Sequence, residues 1–204
     1  MRKSVLSILI MIWIGLMISG CQNLDVTKEE NGEPDLTGKS YVVMHEFTPE
    51  EEQIARLVNP EEQYAVFDYQ ILEPYSVVEV EMDVYRNGEK TETLPIMSRP
   101  LSDESLRNGE LALTWTDDGI QANTLNLEGN GSGGFVPFSI VYQEGATGGG
   151  SIDGGILDED GTVLLFTYSI CYDTEDNHIS FGSDFEEDRR ASDIMVAIYA
   201  KAHE

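Results

Sequence analysis

The sequence predicts a mainly β domain, an antiparallel β-sandwich of immunoglobulin-like or jelly-roll-like architecture with one short helix near the N-terminal side of the domain. In residues 77–85, apolar residues alternate with acidic ones, the period-two pattern of a strand with one wet face. Asn87-Gly88 and Asp117-Asp118-Gly119 each separate two strand-like runs and are typical hairpin turns. Strand-like segments recur along the domain at short spacing, which is typical of sandwiches and barrels.

The domain begins with a strand followed by a short helix. Residues 41–47 are apolar enough for a strand. Residues 48–51 (TPEE) form a good helix start, because the threonine caps, the proline suits the first helical position and the last glutamate completes a capping box. Asn59-Pro60 ends the helix. Its apolar residues share one face at helical spacing: Ile54, Leu57 and Val58.

The remaining strands are predicted at residues 64–71, 77–85, 91–97, 111–116, 120–127, 135–142, 162–172 and 193–201. Pro95 and Pro137 fall inside two of these segments. Because proline has no amide hydrogen to donate to a ladder, Pro95 is expected on a sheet edge or at a bulge, and both prolines fit open edges better than a closed ladder. Open edges favour a sandwich over a closed barrel. Two glycine-rich stretches, residues 129–134 and 143–161, are predicted as loops.

The N-terminal segment has the three parts of a secretory signal. Arg2 and Lys3 are positive, an apolar run from Val5 to Ile18 follows, and Ser19-Gly20 supplies small residues. Residues 16–21 (LMISGC) resemble the lipobox of bacterial lipoproteins. The resemblance implies cleavage between Gly20 and Cys21, lipidation of Cys21, and anchorage at the outer, extracytoplasmic face of the cell membrane.

This organisation predicts three regions. Residues 1–20 form the lipoprotein signal peptide, residues 21–40 the lipidated cysteine and a flexible acidic tether, and residues 41–204 a single β-sandwich domain. The tether is too polar to bury a core. Two acyl chains hold a protein stably at a membrane, whereas one holds it only marginally.

The charge of the chain excludes nucleic acid as a partner. The chain has 12 Lys and Arg residues and 38 Asp and Glu residues, which gives a net charge of −26. Removal of the signal peptide would make this charge more negative, because Arg2 and Lys3 are two of the 12 positive residues. Nucleic acid and anionic headgroups repel such a body. The expected partners are the membrane, through the lipid on Cys21, and a surface protein or glycan.

Part of the domain resembles a group of small exported lipoproteins of anaerobic Firmicutes. The resembling stretches are Phe67-Asp68-Tyr69, Val77–Tyr85, Asn87-Gly88 and Arg107–Leu113. They lie within residues 67–116, a segment that makes up about a quarter of the chain. The resemblance implies that the protein is exported and has a β fold. It implies no mechanism, because no activity is assigned to that group.

Several motifs that carry chemistry are absent or incomplete. Residues 129–134 match G-x-G-x-x-G, but a strand rather than a helix is predicted to follow, so the dinucleotide-binding context is missing. Cys171 is left without a disulfide partner once Cys21 is lipidated, and is predicted to be a small buried hydrophobe. His45, His178 and His203 have no zinc-binding spacing. No catalytic residue is assigned.

Two acidic segments are candidate calcium sites, because Ca²⁺ prefers hard oxygen ligands on flexible loops. The first consists of Asp153, Asp158 and Asp160, and the second of Asp173, Glu175, Asn177 and Asp184. An Asp-Gly turn and a solvated acidic loop are the respective alternatives. No cofactor other than calcium is expected.

The predicted function is that of a lipid-anchored surface protein that acts as a non-enzymatic binding or accessory module. A calcium-stabilised adhesion module is one alternative. An exported carbohydrate-active enzyme that uses paired carboxylates is the other. Its sugars would stack on an aromatic platform, although core packing is the competing use of the same residues: Trp115, Tyr64, Tyr69, Tyr75 and Tyr85.

Overall fold

The computed structural model describes residues 35–58, 64–116, 118–126, 128–138, 146–172 and 184–204. Within them the chain forms two antiparallel sheets. The first sheet contains β1 (Tyr41–Met44), β2 (Tyr64–Gln70), β5 (Asn108–Thr116), β6 (Gly119–Leu125), β7 (Gly131–Pro137) and β9 (Gly155–Ile156). The second contains β3 (Val77–Arg86), β4 (Glu89–Pro100), β8 (Thr147–Ile152), β10 (Thr162–Cys171) and β11 (Ile194–His203). Two short α-helices, α1 (Pro49–Val58) and α2 (Phe185–Ala191), and a 3-10 helix at Glu104–Leu106 complete the fold.

The strand order is β7-β6-β5-β2-β1-β9 in the six-stranded sheet and β4-β3-β11-β10-β8 in the five-stranded sheet. Both predicted hairpins are confirmed, because β3 pairs with β4 and β5 pairs with β6. Contacts group residues Leu36–Glu204 into one compact unit. The mainly β, antiparallel, sandwich-like fold is therefore as predicted.

The core lies between the two sheets and draws residues from both. Phe67 and Leu113 come from the six-stranded sheet, and Met82 and Ile198 from the five-stranded sheet, all completely buried in one cluster. On the inner side of β3, the alternate apolar residues are buried as predicted. On its outer side, however, Asp83 is buried rather than wet, because a second, smaller cluster covers this part of the outer face.

Both strand prolines lie on sheet edges, as predicted. Pro95 belongs to β4 and Pro137 to β7, and each of these strands ends its sheet. The two edges also touch each other. A Cβ atom added at Gly134 of β7 would overlap the carbonyl oxygen of Ile96 in β4. Glycine therefore permits the close approach of the two sheets along this side.

The prediction of glycine-rich loops was wrong for parts of both stretches. Residues 147–152 form β8, which pairs with β10, and residues 155–156 form β9, which pairs with β1. The segment thus passes from one sheet to the other. A Cβ at Gly150 would overlap the carbonyl oxygen of Thr167, so glycine here allows close strand packing. The other glycine-rich stretch, residues 129–134, likewise contains the first residues of β7, which begins at Gly131.

Helix α1 begins as predicted. The amide of Thr48 donates to Glu51 Oε2 at 2.8 Å, and the amide of Glu51 donates to Thr48 Oγ1 at 3.3 Å, which is a capping box. Ile54 and Leu57 on its apolar face are exposed. No helix within the described ranges is long and apolar enough to cross a membrane.

The predicted short helix is α1, and α2 is a second helix that was not predicted from the sequence. Asp184 caps it by accepting from the amide of Glu187 at 3.0 Å. Its Phe185 ring meets the Tyr85 ring edge to face at 5.9 Å, and Arg189 donates to the carbonyl of Gly88. Only seven residues long, α2 depends on these tertiary contacts more than on its own propensity.

Candidate functional site

Three potential metal ligands converge on the outer face of the six-stranded sheet. One ligand atom from each of His45, Asp68 and Glu110 lies within 4.8 Å of the other two. Asp68 in β2 stands directly opposite Glu110 in β5, and opposite Val43 in β1 on its other side. The alternation of β2 explains the orientation, because the neighbours of Asp68 in sequence are buried core residues. We call this set the His45 cluster.

His45 reaches the cluster from just beyond the end of β1. Its amide still donates to the carbonyl of Val66 at 2.9 Å, which holds the backbone against β2. Its Nδ1 lies 3.0 Å from both carboxylate oxygens of Asp68. On the other side of the ring, Nε2 faces Glu51 Oε2 at 3.8 Å. The imidazole is thus placed between two carboxylates, with that of Glu110 nearby.

The electrostatics of the cluster favour a positive charge on or beside the imidazole. The side chain of His45 is 17% exposed and that of Asp68 is 46% exposed. Burial by itself would lower the pKa of His45. The hydrogen bond that the ring donates to Asp68 and the negative charges of Asp68, Glu110 and Glu51 together outweigh it and raise the pKa of His45 above its usual value.

Aromatic packing fixes the ring of His45. The ring of Phe47 contacts it edge to face, with centroids 5.0 Å apart, and Phe47 in turn meets Tyr64 at 6.1 Å. Helix α1 follows immediately, and its capping Thr48 also donates its hydroxyl to Glu51 Oε2 at 2.8 Å. The His45 ring and the Glu51 carboxylate are therefore both held by neighbouring contacts.

The first predicted calcium segment lies in turns. Asp158 Oδ1 accepts from the amides of Asp160 and Thr162 at 2.9 and 2.8 Å, which is an Asx turn before β10. Asp153 Oδ2 accepts from the hydroxyl of Ser151 at 3.0 Å, at the point where the chain changes sheets. Within the described ranges, these aspartates do not belong to a converging ligand group. Calcium binding there stays a prediction.

The second predicted calcium segment is only partly described. Asp173, Glu175 and Asn177 lie outside the described residues, as do the lipidation and cleavage positions Gly20 and Cys21. Asp184 is described, and its carboxylate caps α2.

The aromatic residues considered for sugar stacking do not form an exposed platform. Tyr69 and Tyr85 are buried. Trp115 and Tyr75 are partly buried and pack against the core. Tyr64 is half-buried beside Phe47. Core packing therefore accounts for most of this set.

Cys171 is a buried thiol, as predicted. It is 2% exposed, its Sγ donates to the carbonyl of Ala191 at 3.4 Å, and burial raises its pKa. In a Cys21→Ala chain it is the only cysteine. We expect the folded chain to react with a thiol reagent at least about 100-fold more slowly than the urea-unfolded chain, because reaction requires the thiolate and access. Equal rates in the folded and unfolded states would show that the thiol is accessible to the reagent in the folded chain.

Comparison of the chain with known proteins finds no matching family model, no matching curated protein and no matching solved structure. The interpretation of the His45 cluster therefore rests on its geometry.

Sequence reasoning missed the His45 cluster because its members are distant in the chain. His45 and Asp68 are 23 residues apart, and Glu110 belongs to a strand that is not adjacent to β2 in sequence. The available signal was the position of acids on the outer, alternating side of two predicted strands. Only the register of β2 against β5 brings them together.

Proposed function

We propose that the protein is a lipid-anchored extracytoplasmic surface protein that acts as a non-enzymatic binding or accessory module. The observation that carries the proposal is the lipobox-like segment at residues 16–21, which follows an apolar run and ends in Cys21. A cysteine lipidated there would hold the chain at the outer face of the cell membrane.

The length of the predicted tether supports this arrangement. Residues 22–40 separate Cys21 from β1 in the sequence. Nineteen residues would span about 25 Å as a flexible coil. This exceeds the headgroup layer, which is about 6 Å deep on each side of the bilayer. The negative charge of the domain would also keep it away from anionic lipid.

The outer face of the six-stranded sheet supports binding. One row across it places Asp68, Glu110 and Leu125 side by side on neighbouring strands. Leu125 is exposed, and so is Phe135 in the adjacent strand β7. An open face that mixes carboxylates with large apolar side chains suits a surface protein or a glycan. Asp68 and Glu110 lie beside each other on one face, whereas paired catalytic carboxylates flank the bond they cleave.

The anchorage is tested by replacing Cys21 with alanine and fractionating the cells. We expect most of the Cys21→Ala protein to leave the membrane fraction for the medium, or to accumulate as an unprocessed precursor, because the acylated thiol is missing. Cys171→Ala is the matched control, since it removes the other cysteine and should leave size and fractionation unchanged. A Cys21→Ala protein of unchanged size that stays in the membrane fraction would contradict lipidation.

A further inference from the structure

We propose that His45, Asp68 and Glu110 bind one divalent transition-metal ion of the Zn²⁺ type. The inference goes beyond the proposed function, since it concerns the domain and is independent of how the chain is anchored.

The spacing of the ligand atoms is close to that required. Bonds of about 2.0–2.1 Å in a tetrahedral zinc site place neighbouring ligand atoms about 3.4 Å apart. The Nδ1 of His45 and the oxygens of Asp68 are 3.0 Å apart, and the ligand atoms of the set, Glu110 included, lie within 4.8 Å of one another. To enclose an ion, the first pair would have to separate slightly and the Glu110 carboxylate would have to approach the other two ligands, with water at the remaining position.

Electrostatic repulsion between the two carboxylates favours the binding of a cation between them. Asp68 and Glu110 are directly opposite on adjacent antiparallel strands and point to the same face. Like charges in that position, about 5 Å apart at Cβ, destabilise a sheet. A bound dication neutralises both. The net charge of −26 raises the local concentration of cations around the whole domain.

A carboxylate lies near the second ring nitrogen of His45, where metal-bound histidines usually have one. A ligating imidazole usually donates its second N–H to a carboxylate, which fixes the ring. Here Nε2 faces Glu51 Oε2 at 3.8 Å, and that oxygen is itself held by the amide and hydroxyl of Thr48. The edge contact with Phe47 restrains the ring further. At 3.8 Å the imidazole and the Glu51 carboxylate can form an ion pair but not a hydrogen bond, so Glu51 would have to move closer to orient the ring.

The ligand types point to a transition metal. Imidazole suits Zn²⁺ and its first-row neighbours, whereas Ca²⁺ and Mg²⁺ prefer sites made of oxygen alone. A site of one imidazole and two carboxylates should therefore prefer Zn²⁺ to Ca²⁺. The alternative is that His45 and Asp68 form an ordinary ion pair that binds no metal.

The chain contains a matched control for that alternative. His203 Nε2 lies 3.2 Å from Glu79 Oε2, and the structure assigns no third ligand to this pair within the described residues. His203→Gln therefore removes a histidine paired with a carboxylate, but leaves the His45 cluster intact.

The experiment is calorimetric titration of the full-length protein, purified in detergent, with ZnCl₂ and separately with CaCl₂ at one fixed pH in a buffer that does not bind metal. We expect one saturable Zn²⁺ site per chain. His45→Gln and Glu110→Gln should each weaken Zn²⁺ binding at least tenfold, or about 1.4 kcal/mol. His203→Gln should leave it unchanged, and Ca²⁺ should bind at least tenfold more weakly than Zn²⁺. Because Glu110 is exposed, its substitution tests the site with little risk to folding.

Three results would overturn the proposal. The first is the absence of saturable Zn²⁺ binding to the unaltered protein. The second is an equal loss of affinity in His203→Gln and His45→Gln, which would indicate adsorption to acidic surface. The third is Ca²⁺ binding as tight as Zn²⁺ binding. Circular dichroism of each variant confirms that the fold is retained. Cell fractionation tests the anchorage separately, so the failure of one proposal does not affect the other.

Discussion

Replacing Phe67 with alanine is expected to lower the free energy of unfolding by about 3–5 kcal/mol. Its side chain is completely buried between the sheets, where β2 lies between β1 and β5. Removing the ring loses its transfer free energy and leaves a cavity that close-packed neighbours cannot fill. Since small domains are stable by only about 5–15 kcal/mol, this is a large share of the total.

The measurement is urea denaturation followed by circular dichroism. The midpoint should fall while the slope stays constant, because the surface exposed on unfolding hardly changes. Phe135→Ala is the control, since it is the same chemical change at a side chain that is 51% exposed. It should cost under about 1 kcal/mol. If the two variants are equally destabilised, Phe67 does not lie in the core that the structure describes.

Replacing Gly134 with alanine is expected to cost about 3 kcal/mol, although the substitution adds a single carbon. The new Cβ would overlap the carbonyl oxygen of Ile96, which is backbone and is held in β4. A flexible side chain could move aside, but here β7 and β4 must separate. The approach of the two sheets along this edge would be lost.

Gly129→Ala separates this steric effect from the loss of glycine itself. Gly129 has φ of +81° and nothing within 4 Å of an added Cβ. Its substitution should cost only the left-handed backbone penalty, about 1 kcal/mol. Thermal unfolding of both variants measures the difference. Equal melting temperatures would mean that the edges of β4 and β7 are not in contact.

Most strands could be predicted because their signals are local. Valine and methionine alternate with acids in β3, and Asn87-Gly88 supplies the turn into β4. Helix α1 could be predicted from four residues that cap it. Pro95 and Pro137 indicated edges, because a missing amide hydrogen is a property of the residue alone. Such signals act over a few residues and do not depend on the rest of the fold.

The errors occurred where a distant segment decides the structure. Glycine is a poor strand former by itself, yet β8 is a strand because β10 offers it a hydrogen-bonding partner. Helix α2 is short and charged, and it forms against Tyr85 and Gly88 from the β3–β4 hairpin. Asp83 reads as a solvated acid in the alternation of β3. It is buried because the second cluster covers it, and its carboxylate accepts hydrogen bonds from Thr93 and Lys90 there.

The amino-acid sequence by itself determined the fold class, the hairpins, the acidic character and the lipobox-like segment on which the proposed address depends. These follow from residue type and short-range spacing. Only the tertiary structure decided that His45, Asp68 and Glu110 share one place on the sheet. Their meeting depends on the register of β1, β2 and β5. A shift of one residue would turn Asp68 toward the core, and that register is set by the burial of Phe67 and its neighbours across the whole sandwich.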